Sequence, residues 1–236
     1  MKLGVGHALV DGVLVPGDVE IEDGHVFAGG LAGGGRGIAA PGFVDVHIHG
    51  FAGVDFATAD TEGYRRAREA LLETGVTSFH PSFITAPEEE LVAALREVPR
   101  GLGAHLEGPF ISPKRLGMHP ADAQREPDAA LLERLLAAGP VAHMTLAPEL
   151  PGALELVDML VARGITVACG HTDATAEQAN AAFDGGANER DPLLLIDSRT
   201  EAKAQPHATE SEGRYLEPAV SPGGRNAPRK RPHRIR

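Results

Sequence analysis

The sequence predicts an α/β fold, part of a TIM-like (β/α)8 barrel. Three observations predict it. Between residues 41 and 186, strand-like apolar runs alternate with helix-like stretches five times over. His47, His49, Glu107 and His171 fall at the C-terminal ends of those runs, the edge where parallel sheets and barrels carry their sites. The 29 glycines and an aromatic content of only 4% suit tight loops between small-residue elements. Five units are fewer than the eight that close such a barrel.

Residues 1–40 read as short strands. Asp11-Gly12 separates two apolar triplets, which is a hairpin signal, and Asp23-Gly24 follows the alternating Val19–Glu22. Gly29 to Gly37 holds six glycines; no Gly-Lys-Ser/Thr follows, so it reads as a flexible connection. The first barrel strand is Phe43–His49, after Pro41-Gly42. A helix fits Thr61–Glu73. A second strand starts at Val76 and runs to His80, with an extension toward Thr85. Pro87 and three glutamates open the next helix, which stops before Pro99. Strands then fit Leu102–Phe110, Val141–Leu146 and Ile165–Cys169. Helices fit Pro127–Ala138, Gly152–Ala162 and Thr175–Phe183.

The pattern stops at residue 187. Residues 187–236 hold 10 Lys and Arg against 7 Asp and Glu, whereas the preceding 186 hold 12 against 26. With six prolines and no periodicity, this segment reads as a disordered basic tail, either a tether or a solvated extension. The domain reading is therefore 1–40, 41–186 and 187–236. Apolar residues make up 42%, which excludes wholesale disorder, and a single Cys excludes a disulfide framework. A formal charge of −11 argues against a nucleic-acid partner. No apolar run is long enough for a membrane span and no secretory leader is evident, so a cytoplasmic protein is expected.

Side chains at i and i+2 on a strand share a face, so His47 and His49 can grip one metal ion, with Asp45 one step deeper. A polar strand end without ligands would give the same pattern. Glu107, before Gly108-Pro109, is placed as an oxygen ligand, and His105 reads as a packed supporting residue. His171 follows Cys169 by two, on the same strand face. Thr172 or Asp173 could cap the next helix, Cys169 reads as a buried filler and His143 as core. His80 could face the site, and His119 lies in a loop over the barrel mouth. His7, His25, His207 and His233 have no partners at ligand spacing. One carboxylate and three imidazoles arriving from three strands support a divalent metal, zinc or iron, that polarises a carbonyl and activates water.

Five segments also carry a resemblance. They are Pro41–Gly50, Gly75–Ser78, His105–Pro113, Thr145–Glu149 and Gly170–Thr175. Together they resemble the N-acetylglucosamine-6-phosphate deacetylase family of the amidohydrolase superfamily. The resemblance implies a metal-bearing (β/α)8 barrel with a small β-sandwich, to which residues 1–40 contribute. It implies hydrolysis of the acetamide of N-acetyl-D-glucosamine 6-phosphate to glucosamine 6-phosphate and acetate, with one or two metal ions. It maps metal ligands to Glu107 and His171, a second metal to His47 and His49, and substrate contacts to Met118 and His119. A homodimer is implied for intact relatives. The family's Thr-His-x-x-Asn-Ala-Met segment and its catalytic Asp have no counterpart in 188–236, so no catalytic acid–base residue is assigned. The switch at 187 reads as a change of coding frame, with weak metal retention, little turnover and low stability expected. The rival readings are an amidohydrolase for cyclic amides and a non-catalytic metal-binding remnant.

Overall fold

A computed structural model describes residues 1–187 except Gly24 and Gly33. The predicted tail, with His207 and His233, lies outside the described residues. Two units divide the chain, one holding Met1–Gly42 and the other opening at Phe43.

In the first unit, β1 (His7–Val10) pairs antiparallel with β2 (Val13–Pro16), with Val10 opposite Val13. Asp11 and Gly12 both take positive φ, 49° and 75°, the two-residue turn that matches strand twist. β3 (Asp18–Glu22) pairs antiparallel with β4 (His25–Leu31) through an irregular register, and β5 (Ile38–Ala39) runs parallel to β1. The first two glycines of the predicted connection belong to β4 instead. A Cβ at Gly17 would come within 2.6 Å of the Gly30 backbone, so close chain approach places glycine here. The N–H of Val5 foremost, with those of Val19 and Gly4, holds the Asp18 carboxyl below its usual range.

The second unit is a five-stranded parallel sheet. Its strands are β6 (Phe43–Ile48), β9 (Val76–Ile84), β10 (Ala104–Glu107), β11 (Val141–Leu146) and β12 (Thr166–Cys169). They lie side by side in chain order with no reversal, the winding of a barrel rather than of a doubly wound sheet. A small hairpin, β7 (Gly50–Phe51) with β8 (Val54–Asp55), follows β6. The helices are α1 (Thr61–Glu73), α2 (Glu88–Glu97), α3 (Ala129–Ala138), α4 (Ala153–Val161) and α5 (Ala176–Asp184).

Sequence explains the helix ends. Asp60 accepts the Gly63 N–H at the start of α1, and Asp128 accepts those of Ala130 and Leu131 at the start of α3. Thr175 and Gln178 form a capping box on α5. Asp173 is therefore not the cap; its carboxylate instead binds Lys114 and Arg115.

Period-two alternation builds the core. Phe79, Phe83, Ala104, Leu106, Met144, Leu146, Val167 and Cys169 join the helices in one apolar cluster. The opposite face of the sheet carries Ser82, His105, Glu107, His143 and Thr145, all buried. Cys169 is thus core, and burial pushes its thiol up to about 11. β10 is shorter than the run Leu102–Phe110 suggests. Gly108 takes φ +95°, which ends the extended backbone directly after Glu107.

Candidate metal centre

Glu107 ends β10 with a side chain only 6% exposed, and four histidines surround it. Nε2 of His47 lies 3.2 Å and Nε2 of His49 3.3 Å from Oε2. Nε2 of His171 lies 2.8 Å and Nε2 of His119 3.6 Å from Oε1. The Nε2 atoms of His47 and His49 are 3.0 Å apart, which is what i and i+2 placement at the end of β6 delivers.

His171 does not share a face with Cys169. β12 ends at Cys169, and His171 takes the left-handed φ of 46°, which swings its ring toward Glu107. That backbone costs about 1–3 kcal/mol in a non-glycine residue. Ser112 N–H binds the His171 carbonyl at 2.9 Å, and the Gly170 N–H binds Leu146, so flanking backbone bonds hold the turn.

Two carbonyls fix the tautomers. His49 Nδ1 lies 3.0 Å from the Ser82 carbonyl, and His171 Nδ1 lies 2.9 Å from that of Arg115. A carbonyl only accepts, so each Nδ1 carries the hydrogen and each neutral ring turns an Nε2 lone pair toward a Glu107 oxygen. A lone pair facing a carboxylate needs positive charge between them, either an imidazolium proton or a shared cation. Hydrogen bonding to Glu107 is the chief cause that raises His49 above its usual pKa. Burial raises the Glu107 carboxyl, but contacts with His119, His171, His47 and His49 outweigh it and hold the group well below the carboxylate range.

His119 is wired the other way. The Thr85 N–H donates to its Nδ1 at 3.2 Å, so the neutral ring presents an Nε2–H donor rather than a lone pair. The Thr85 hydroxyl lies 2.8 Å from the same Nδ1.

By proximity alone, two sets of three ligand atoms fall within 4.8 Å of one another: His47, His49 and Glu107; and Glu107, His119 and His171. The donor set suits a borderline divalent cation, since imidazole nitrogens and one carboxylate are what zinc and iron take. The tautomers single out His49 and His171 as lone-pair donors and leave His119 to hydrogen-bond. Both sets open on a cavity of about 660 Å³, whose wall includes Asp55, Ser82, Met118 and His119. Met118 is 94% exposed.

Below this layer His105 is fully buried and stacks on His143, with ring centroids 4.1 Å apart. Burial first, then the neighbouring His143, drives its pKa well below the usual value, so it stays neutral. The sequence alone does not mark Ser82, Thr85 or Asp55. Hydroxyls on strands look like ordinary filler, and only the register of β9 against β6 and β10 places Ser82 here.

A singly wound α/β sheet with a His and Glu cluster at its C-terminal edge defines an amidohydrolase. The chain belongs to that family, whose model matches residues 38–206. Within it, the chain is 42% identical over 170 residues to mouse (Mus musculus) N-acetylglucosamine-6-phosphate deacetylase, covering 65% of this chain and 41% of that protein. It is 36% identical over 168 residues to N-acetylgalactosamine-6-phosphate deacetylase of Escherichia coli O157:H7, covering 64% and 43%. The solved structure of N-acetyl-D-glucosamine-6-phosphate deacetylase from Mycobacterium smegmatis superposes with a TM-score of 0.73 at 36% identity, covering 80% of this chain and 54% of that one. The chain thus spans about half the length of the relatives it matches.

Proposed function

We propose that this chain carries the metal-binding and substrate-contacting part of a deacetylase for N-acetyl-D-glucosamine 6-phosphate. The observation that carries the reading is the convergence of His47, His49 and His171 Nε2 within 3.3 Å of the Glu107 carboxylate, a donor set that a divalent cation takes. Glu107 and His171 would hold one ion, and His47 and His49 a second, with zinc or iron suited to the donors. Such an ion supplies Lewis acidity to an acetamide carbonyl and to water. His119 lines the cavity, and its Nε2–H, 3.6 Å from Glu107 Oε1, would donate to a substrate oxygen. Met118 offers an exposed apolar edge at the mouth. A cavity of about 660 Å³ is in the range for a small-molecule ligand. On this reading residues 1–40 contribute to a small β-sandwich and residues 41–186 to the barrel.

The experiment is calorimetric titration of the zinc-loaded chain with N-acetyl-D-glucosamine 6-phosphate, with acetate release followed in parallel. Saturable, zinc-dependent binding that disappears in Glu107→Gln is the expected result. No binding with zinc present would overturn the reading. The Escherichia coli relative names the galactosamine epimer, so that sugar phosphate belongs in the same titration.

A further inference from the structure

β6 and β9 fall out of step where the site begins. Their register slips between Asp45 and Ile48, and the residue opposite Ile48 is Pro81, which has no N–H to give. The Ile48 N–H is taken by the Ser82 hydroxyl at 3.0 Å. Ser82 makes three more contacts. Its carbonyl accepts from His49 Nδ1 at 3.0 Å, and its Oγ lies 3.2 Å from the His80 carbonyl and 3.1 Å from His105 Nδ1.

Ser82 is 2% exposed, so bulk water does not compete for these bonds. A hydroxyl has one proton and two lone pairs. One assignment is consistent with all of these contacts. Oγ accepts from Ile48 N–H and from His105 Nδ1–H, and donates to the His80 carbonyl. His105 Nε2 then accepts from the Thr145 hydroxyl at 2.9 Å. The His105 ring in turn stands edge-on to His47, with centroids 4.8 Å apart. The Ser82 hydroxyl therefore fixes the backbone between the two histidines and the ring that buttresses His47, while the backbone carbonyl of Ser82 orients His49.

We propose that Ser82 is a positioning residue that holds His47 and His49 at the Glu107 carboxylate, so that cation binding by the β6 pair depends on a hydroxyl that binds no cation itself. The inference rests on the metal-binding reading above. The test is zinc competition against a chromophoric chelator, in the full chain, for Ser82→Ala and Ser82→Thr, with thermal unfolding of each metal-free variant. Ser82→Ala is expected to weaken zinc binding by about tenfold to a hundredfold, as loss of a supporting contact does. Ser82→Thr keeps the hydroxyl and is expected to recover most of that loss. Ser82→Ala binding zinc as tightly as the unsubstituted chain overturns the inference and leaves the metal reading standing. An unsubstituted chain that binds no zinc overturns both. If Ser82→Ala does not fold, ring ¹⁵N spectra of the unsubstituted chain decide. His105 is expected as the Nδ1–H tautomer that donates to the Ser82 hydroxyl, and an Nε2–H tautomer there overturns the inference.

Discussion

Gly108→Ala tests how the end of β10 supports the site. Gly108 takes φ +95°, where an L-residue costs about 1–2 kcal/mol. A Cβ there would also overlap the Thr85 hydroxyl. Restoring ordinary contact requires Thr85 to move on the order of 1 Å. That motion breaks the 2.8 Å contact between its hydroxyl and His119 Nδ1 in a buried setting. Leaving such a group unsatisfied costs about 1–3 kcal/mol. Together the two effects predict a loss of about 2–5 kcal/mol, a large part of a domain's stability. Gly101→Ala is the control. Gly101 takes φ +92° with nothing within 4 Å of its Cβ position, so it reports backbone strain alone. Urea unfolding of the metal-free chain measures both. Equal losses in the two variants would refute the claim that Thr85 is pressed between Gly108 and His119.

Three further outcomes follow from the same geometry. The hydroxyl of Tyr64 is buried with no hydrogen-bond partner among the described residues, so Tyr64→Phe is expected to stabilise by about 1 kcal/mol in urea melts. Burial raises the Tyr64 pKa above the ordinary 10. Above pH 10 the unfolded chain therefore loses a proton that the folded chain keeps, stability falls as pH rises, and Tyr64→Phe flattens that decline between pH 9 and 11. Leu106 is fully buried among the outward residues of β10, so Leu106→Ala is expected to cost about 2–5 kcal/mol in the same melts. Asp173→Asn removes the charge that holds Lys114 and Arg115, and with it the anchor for the carbonyl that orients His171. Thermal unfolding should barely move, while zinc affinity measured by chelator competition falls by about tenfold.

The parts of the molecule that obey a short period could be read in advance. His47 and His49 converge because strand geometry repeats every two residues, and α1 spans Thr61–Glu73 as its apolar spacing predicts. The parallel α/β sheet followed from five alternating units. Features set by a single backbone angle or a long-range bond could not be read. His171 reaches Glu107 only through its left-handed backbone, not through a strand face shared with Cys169. Asp173 resembles a cap in sequence, yet Thr175 lies two residues on with Gln178 in reciprocal position, and the capping box forms there. The donor role of His119 depends on Thr85, 34 residues away, which no local pattern links to it. Glu107 was legible because a carboxylate just before Gly-Pro ends a strand; the four imidazoles around it needed the sheet.

On the proposed reading, Glu107 and the imidazoles around it form a cation site. Zinc titration of the metal-free full chain at pH 7.5, beside Glu107→Gln, tests it most directly. Saturable binding of at least one ion is expected, with a loss of about a hundredfold or more when the carboxylate becomes an amide. Equal zinc affinity in the two proteins, or none in either, would contradict it.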